Sequence, residues 1–117
     1  GSVGMCTENR LSAVMADVVK KAKSLFGDRL GSVILYGSYA RGDYDEESDI
    51  DVMITADISP DETARFIREL TDYSVDMDLT NDIVLSIVLQ DSATYEKYKN
   101  SYPFFMNIEK EGVKLIA

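Results

Sequence analysis

Two carboxylates, Asp49 and Asp51, stand two positions apart where an acidic segment runs into the apolar residues 52–54. On a β-strand, side chains at positions i and i+2 lie on the same face, roughly 6–7 Å apart. Carboxylates this close repel each other unless a cation lies between them. Their hard oxygen ligands suit Mg²⁺, and Mn²⁺ can substitute. The spacing therefore predicts a site for one or two metal ions, of the kind used in phosphoryl and nucleotidyl transfer.

Four more acidic residues stand upstream of this pair: Asp43, Asp45, Glu46 and Glu47. Charge runs of this kind usually form solvated loops, and we predict such a loop here. A calcium-binding loop that begins at Asp43 does not fit. Ser48 stands where its sharp turn requires glycine, and Ile54 where a bidentate glutamate belongs.

A Gly-Ser pair, Gly37 and Ser38, follows the β-rich segment 32–36. Glycine lets the backbone approach a ligand closely, and the amides beyond it, with the Ser38 hydroxyl, can hold phosphate oxygens. The spacing from Gly37 to Gly42 also matches a P-loop, but the next two residues are acidic and aromatic instead of Lys and Ser/Thr. Because the Gly-Ser pair suits phosphate and the two aspartates suit a metal ion, we predict that a nucleoside triphosphate binds between them.

The composition excludes several other kinds of site. The 117 residues carry a net charge of −9 and no histidine, so His-based triads and His metal ligands are absent. The one cysteine, Cys6, builds neither a disulfide framework nor a zinc cage. Acid–base chemistry falls to carboxylates, Lys, Tyr or water. The acidic charge also argues against nonspecific nucleic-acid binding, which needs clustered Lys and Arg.

The chain length fits one domain, and we predict a single domain over residues 1–117. No apolar run approaches the ~18 residues that a membrane span needs, and no signal peptide is visible. The expected compartment is therefore the cytoplasm, without membrane association. We interpret Gly1–Gly4 as a cloning remnant, with Met5 as the natural start.

The hydrophobic periodicity predicts a mixed α/β, two-layer α+β domain, in which helices pack on a small mixed sheet. Ser59 and Pro60 are typical of a helix start. The predicted helices are 8–26, 60 to about 80, a short one from 91 and another from 103. The predicted strands are 32–36, 49–55, 83–89 and an edge strand at 113–116. In the second strand, Asp49 and Asp51 face one side, and Ile50, Val52 and Ile54 face the other.

The segment Gly37–Gly42, followed by Ser48–Asp51, resembles the signature of the minimal nucleotidyltransferases, within the DNA polymerase β-like nucleotidyltransferase superfamily. The resemblance implies that Gly37 and Ser38 bind the phosphates of the nucleotide. It implies that Asp49 and Asp51 are the catalytic metal ligands. Arg41 matches the family's arginine, which would neutralise phosphate charge. An ion pair that braces the acidic loop through Asp43 or Asp45 is an equally good interpretation of Arg41.

One departure from the family pattern concerns a third carboxylate, which active members usually carry on the next core strand. If that strand is 83–89, Ser86 stands at the matching place. If instead 75–79 is the strand, Asp76 or Asp78 fills the role. Without this acid, water or a substrate group would accept the proton, and the rate would fall by ~10²–10⁴-fold.

The resemblance implies transfer of a nucleoside monophosphate, with AMP from ATP expected, to an acceptor hydroxyl with Mg²⁺. It also implies a possible HEPN-type protein partner in a toxin–antitoxin pair. The alternative is a degenerate binding module that keeps the fold without the chemistry. The aromatic residues Tyr95, Tyr98, Tyr102, Phe104 and Phe105 could form a partner-binding patch, although packing within the core is the simpler interpretation.

Overall fold

The computed structural model describes residues 8–45 and 48–116, with side chains from Arg10 onward. In chain order, the elements are α1 (Glu8–Phe26), β1 (Leu30–Tyr36), α2 (Ser38–Arg41), β2 (Ile50–Ala56), α3 (Pro60–Asn81), β3 (Leu85–Asp91), α4 (Ser92–Tyr98), α5 (Pro103–Glu111) and β4 (Val113–Ile116). A single 3₁₀ turn, Gly27–Arg29, connects α1 to β1.

Within these ranges, the strands form one four-stranded sheet in the order β3-β2-β1-β4. Strand β1 pairs antiparallel with both β2 and β4, whereas β2 and β3 are parallel. The parallel pair follows from the long connection through α3, because parallel neighbours need a crossover. The mixed sheet with packed helices that the sequence predicted is confirmed.

Alternation along the central strands sends side chains to two covered faces. Val33, Leu35 and Val52 belong to the larger core, which α1 and α3 cover. Ile34 and Met53 point the other way, into a smaller core beneath α4 and α5. The two-layer expectation describes the larger core, and α4 and α5 add a partial third layer. Asp51 shares the face of Met53, so it points away from the larger core, as predicted.

Helix α3 begins with a capping box, in which Ser59 Oγ accepts from the amide of Glu62 and the Glu62 carboxylate accepts from the amide of Ser59. The helix ends at Asn81, where Asp82 adopts a φ of 55°. The predicted course of this helix to about Thr80 is confirmed. The residues 75–79 are helical, so the alternative strand assignment for this segment is wrong.

The boundaries of three predicted strands differ slightly from the structure. Strand β1 starts two residues earlier than 32–36, β2 is shifted by one residue, and β3 by two. In β3, the amide of Leu85 bonds to Asp78, and the parallel ladder to β2 begins at that residue. Helix 8–26 and strand 113–116 have the predicted bounds.

Some sequence predictions fall on residues that the structure does not describe. Gly1–Gly4, Met5, Cys6 and the acidic pair Glu46 and Glu47 all lie outside the described ranges. Among the helices within those ranges, none combines the length and the apolar character that crossing a membrane requires.

Candidate active site

The Gly-Ser turn joins the end of β1 to the short helix α2. Gly37 has φ 79° and ψ −155°, a conformation that L-residues with a side chain rarely adopt. Its carbonyl accepts hydrogen bonds from the amides of Ala40 (3.1 Å) and Arg41 (3.0 Å). Ser38 is the first residue of α2, and its carbonyl accepts from the amide of Gly42. Helix α2 therefore starts next to the end of β1. Its first amides lack intrahelical acceptors.

Asp51 lies directly against this turn. A Cβ built on Gly37 would lie 2.5 Å from Oδ2 of Asp51, so only glycine leaves room for the carboxylate. The contact arises because Asp51 pairs across the ladder with Tyr36, the residue before Gly37. The sheet register thus places the predicted phosphate-binding turn and a predicted metal ligand side by side.

The electrostatic environment of Asp51 disfavours its charged form. Partial burial raises the pKa of Asp51 from its ordinary value, and the neighbouring charge of Asp49 raises it further. Arg41 acts in the opposite direction and lowers this pKa. Asp49, just before β2, is exposed. The two aspartates and Arg41 therefore share one electrostatic site, in which the carboxylates repel each other.

Arg41 forms two ion pairs around this site. Its Nε lies 3.2 Å from Oδ2 of Asp43, and its Nη1 lies 3.4 Å from Oε2 of Glu111. The first pair braces the acidic loop, as one interpretation of the sequence anticipated. Because the Arg41 side chain remains 43% exposed, it is still accessible to a ligand.

Two residues at this site were not found from the sequence. By the alternation of side chains along β1, Tyr36 lies on the same face of the sheet as Asp51. Its position next to Gly37 in the sequence could therefore have indicated that it belongs to the site. Partial burial, together with the charge of Asp51, raises the pKa of Tyr36 to about 12. Its ring packs edge-on against Phe104 at 5.6 Å between centroids. Glu111 had no local signal, because it contacts Arg41 across 70 residues of sequence.

Ser86 lies on the strand next to that of Asp51, which is where the family pattern leads us to look for a third carboxylate. In the parallel ladder, Ser86 is the partner of Asp51, so Tyr36, Asp51 and Ser86 form one row across the sheet. Asp78 lies on α3, where its Oδ1 accepts from the amide of Leu85 at 2.8 Å. Asp76 is an exposed residue of the same helix.

The donor set fits a magnesium ion that is held jointly by the protein and a nucleotide. Among the described residues, no group of three or more His, Cys, Asp or Glu side chains could hold a metal by itself. Mg²⁺ is commonly bound by one or two carboxylates together with substrate phosphates and water, instead of by an all-protein cage. Asp49 and Asp51 match this requirement, and the missing side chain of Gly37 leaves room for the Asp51 carboxylate against the turn.

The aromatic residues near the carboxyl end divide into two groups. Tyr95 and Phe105 are buried in the smaller core, as the simpler interpretation predicted. The other three, Tyr98, Tyr102 and Phe104, are 43%, 53% and 37% exposed. Of these, Phe104 packs against Tyr36 at the site.

The family can now be stated from comparison with known proteins. A profile of the nucleotidyltransferase domain matches residues 15–114. Two proteins of Methanocaldococcus jannaschii, each provisionally named a protein adenylyltransferase, are similar to this chain. One is 41% identical over 105 residues, which cover 87% of this chain and 95% of that protein. The other is 33% identical over 96 residues, which cover 82% and 88%.

A solved structure supports the fold. A crystal structure described as a toxin–antitoxin with AMP-PNP contains a chain that superposes with a TM-score of 0.54 at 19% identity, over 86% of this chain and 72% of that one. The family predicted from Gly37–Gly42 and Ser48–Asp51 is thereby confirmed: the chain belongs to the nucleotidyltransferase domain family.

Proposed function

We propose that this protein transfers AMP from ATP to a hydroxyl group of another protein, in a reaction that depends on Mg²⁺. The observation that carries the proposal is the contact between Gly37 and Asp51. It brings a turn suited to phosphate against a carboxylate suited to a metal. A nucleoside triphosphate with its counter-ion needs both kinds of group within the length of its phosphate chain.

The transfer itself is a substitution at the α-phosphorus. The acceptor oxygen forms a bond to this phosphorus, the bond to the oxygen that bridges the α- and β-phosphates breaks, and pyrophosphate leaves. When bound, Mg²⁺ would neutralise charge on the phosphates and polarise them. Asp49 and Asp51 would hold it. Gly37, Ser38 and Arg41 would orient the phosphates, and much of the catalysis of phosphoryl transfer comes from such positioning.

The proton of the acceptor hydroxyl has no evident side-chain acceptor in the row that contains Asp51. The place where a third carboxylate would stand holds the neutral side chain of Ser86. We infer that water or a group of the acceptor takes this proton. We therefore expect a slow enzyme, with a rate ~10²–10⁴-fold lower than that of an enzyme with a positioned base.

The choice of ATP and of a protein acceptor rests on the relatives. Both archaeal proteins are provisionally named protein adenylyltransferases, and the superposed toxin–antitoxin structure holds AMP-PNP. The HEPN-type partner comes from the family resemblance of the sequence, and the toxin–antitoxin neighbour fits that expectation. We therefore propose that the acceptor is a HEPN-type partner and that the protein acts as its antitoxin. In such a pair, the activity is expected only when the partner is present.

A second candidate function is a binding module that holds the nucleotide without turnover. Ser86 opposite Asp51 is the observation that favours it. The two functions differ in one product, because only the transferase releases pyrophosphate from ATP.

The first experiment is an NMR titration of the protein with ATP, CTP, GTP and UTP, with and without Mg²⁺. We expect Mg²⁺-dependent shifts at the amides of Gly37, Ser38, Asp49 and Asp51, with ATP the strongest. No shift with any nucleotide would contradict both functions. Protein labelling from α-labelled ATP in the presence of a HEPN-type partner then supports the transferase. Nucleotide binding without pyrophosphate release, with that partner present, supports the binding module.

A further inference from the structure

A cavity of about 240 Å³ lies on the same sheet face as Asp51, but toward the other end of the strands. Its lining includes Thr55, four residues beyond Asp51 on β2, which corresponds to about 13 Å along the strand. Between the two sites, Met53 is buried under the aromatic rings of α4 and α5. The cavity is therefore separate from the nucleotidyltransferase site.

An irregularity of the sheet forms one wall of the cavity. The register of β1 against β2 shifts between Leu30 and Ser32, so that Gly31 is left without a ladder partner. A Cβ on Gly31 would lie 2.7 Å from both Ser92 Oγ and Thr55 Oγ1. A glycine in a strand often marks a bulge or a point where another group approaches the backbone closely. Here it lets two hydroxyl groups converge on the backbone of β1.

The hydroxyl groups in this wall are not all satisfied. Ser32 Oγ and Thr55 Oγ1 bond to each other at 2.7 Å. Ser92 Oγ is buried and has no hydrogen-bond partner among the described residues. Because buried polar groups almost always have a partner, Ser92 is suited to bonding with a molecule that enters the cavity.

The charged lining of the cavity consists of two carboxylates, Glu96 and Glu109, and one ammonium group, that of Lys114. Glu96 is already paired with Lys99 at 2.9 Å. Glu109 accepts a hydrogen bond from Tyr95 at 2.5 Å through Oε2 and also interacts with the charge of Lys99, and its other oxygen is left for a second donor. Lys114 forms no ion pair in the part of the chain that the structure describes. The cavity thus offers opposite charges at two separate points.

We propose that this cavity binds a small zwitterion of the amino-acid class. Glu109 would bind its ammonium group, Lys114 its carboxylate, and Ser92 a further polar atom. The volume of about 240 Å³ is far above the ~10–15 Å³ that a site for one water needs, so it exceeds what a single structural water fills. A zwitterion matches both Glu109 and Lys114, whereas a ligand with one sign of charge matches only one of them. The proposal does not depend on the transferase activity.

The test is an NMR titration of the nucleotide-free protein with each of the common L-amino acids. Acetate, methylammonium and glycerol at the same millimolar concentration serve as probes of the separate parts. We expect saturable shifts at the amides of Gly31, Ser32, Ser92 and Lys114 with at least one amino acid, and binding weaker by at least about tenfold with the three partial probes.

Two outcomes of this titration would overturn the proposal. One is the absence of saturable shifts with every amino acid, which would leave the cavity to water. The other is glycerol or a single-charge probe that binds as well as the best amino acid, which would show that paired charges play no part.

Variants locate the binding to the cavity. Lys114→Met and Ser92→Ala should each weaken the binding of the best amino acid by about tenfold, which is the effect of losing one charge-assisted or buried hydrogen bond. Lys110→Met is the matched control, because Lys110 is an exposed lysine of α5 outside the cavity lining. Lys114 is itself exposed, so its replacement should not unfold the protein. Equal weakening by Lys114→Met and Lys110→Met would contradict the proposal.

Discussion

The carboxylate of Asp51 packs against the backbone of Gly37 so closely that a Cβ on Gly37 would lie 2.5 Å from Oδ2. The two residues are adjacent because Tyr36 and Asp51 pair in the antiparallel ladder of β1 and β2. The phosphate-binding turn and the metal-binding carboxylate that we propose therefore form one structural unit. A substitution at either residue should therefore alter the geometry of the other.

Replacing Gly37 with alanine tests this unit. Gly37→Ala forces a side chain into a positive φ and also against Asp51, so we expect a loss of stability together with at least a tenfold loss of Mg²⁺ affinity. Gly42→Ala is the matched control, because Gly42 has φ 87° but no described residue lies within 4 Å of a Cβ built on it. Both variants should lose about 1–2 kcal/mol to the backbone conformation alone. The measurements are urea unfolding and calorimetric Mg²⁺ binding with ATP.

The discriminating result is the difference between these two glycine variants. If Gly42→Ala weakens Mg²⁺ binding as much as Gly37→Ala does, the contact with Asp51 has no special role in the site.

Asp51 should give the metal-free protein a distinctive pH dependence. Burial and Asp49 raise its folded-state pKa, so the folded state binds the proton more tightly than the unfolded state. The stabilisation is complete below the ordinary pKa and is lost as the pH rises through the raised value. Asp51→Asn should remove this fall and make the metal-free protein more stable near neutral pH. Urea unfolding at a series of pH values, without divalent cations, measures the effect.

Asp72→Asn provides the control for the pH experiment, because Asp72 is an exposed residue of α3. A fall in stability with rising pH that survives in Asp51→Asn, or disappears equally in Asp72→Asn, would contradict the assignment to Asp51.

Ser86 can be tested as the place of the missing carboxylate. Because Ser86 pairs with Asp51, Ser86→Asp puts an acid in the same row of the sheet. We expect lower stability without metal, recovery with Mg²⁺, and faster pyrophosphate release by about tenfold or more if the new acid accepts the acceptor's proton. Ser86→Asn, with similar shape and no charge, should show none of these gains. Equal turnover in the two variants would mean that position 86 is not the site of the base.

The role of Arg41 can be separated from its ion pairs. Arg41→Gln should weaken ATP binding and raise the pKa of Asp51, because the guanidinium lowers that pKa. Its effect on stability should be small, since exposed ion pairs contribute ~0–1 kcal/mol. Asp43→Asn removes the 3.2 Å pair but keeps the guanidinium, and should leave ATP binding nearly intact. If Asp43→Asn weakens ATP binding as much as Arg41→Gln, the arginine acts by bracing the loop.

Ser38 and Asp49 should divide the binding of the nucleotide and the metal. Ser38→Ala removes a hydroxyl from the start of α2 and should weaken ATP binding with little change in the binding of Mg²⁺ alone. Asp49→Asn should weaken Mg²⁺ without unfolding the protein, because Asp49 is exposed. Calorimetry with Mg²⁺, and with ATP with and without Mg²⁺, measures both. Equal weakening of both ligands by Ser38→Ala would contradict this division.

Local chemistry in the sequence was sufficient for the elements and the family. The capping residues around Ser59 fixed the start of α3, since a cap acts through atoms only three residues apart. The period-2 pattern of residues 50–54 placed Asp51 on the face opposite Ile50, Val52 and Ile54, because alternation is a property of every extended chain. The Gly-Ser and Asp-x-Asp spacings indicated the family because they too are patterns within a short stretch of sequence.

Relations between distant segments were decided only by the tertiary structure. The register that sets Ser86 opposite Asp51 depends on how β2 and β3 pack, and the contact between Arg41 and Glu111 crosses 70 residues. The polar cavity combines a bulge in β1 with residues of α4, α5 and β4. No local sequence pattern encodes such contacts. Each contact depends on how separate elements pack, and the spacing of residues along the chain does not set that packing.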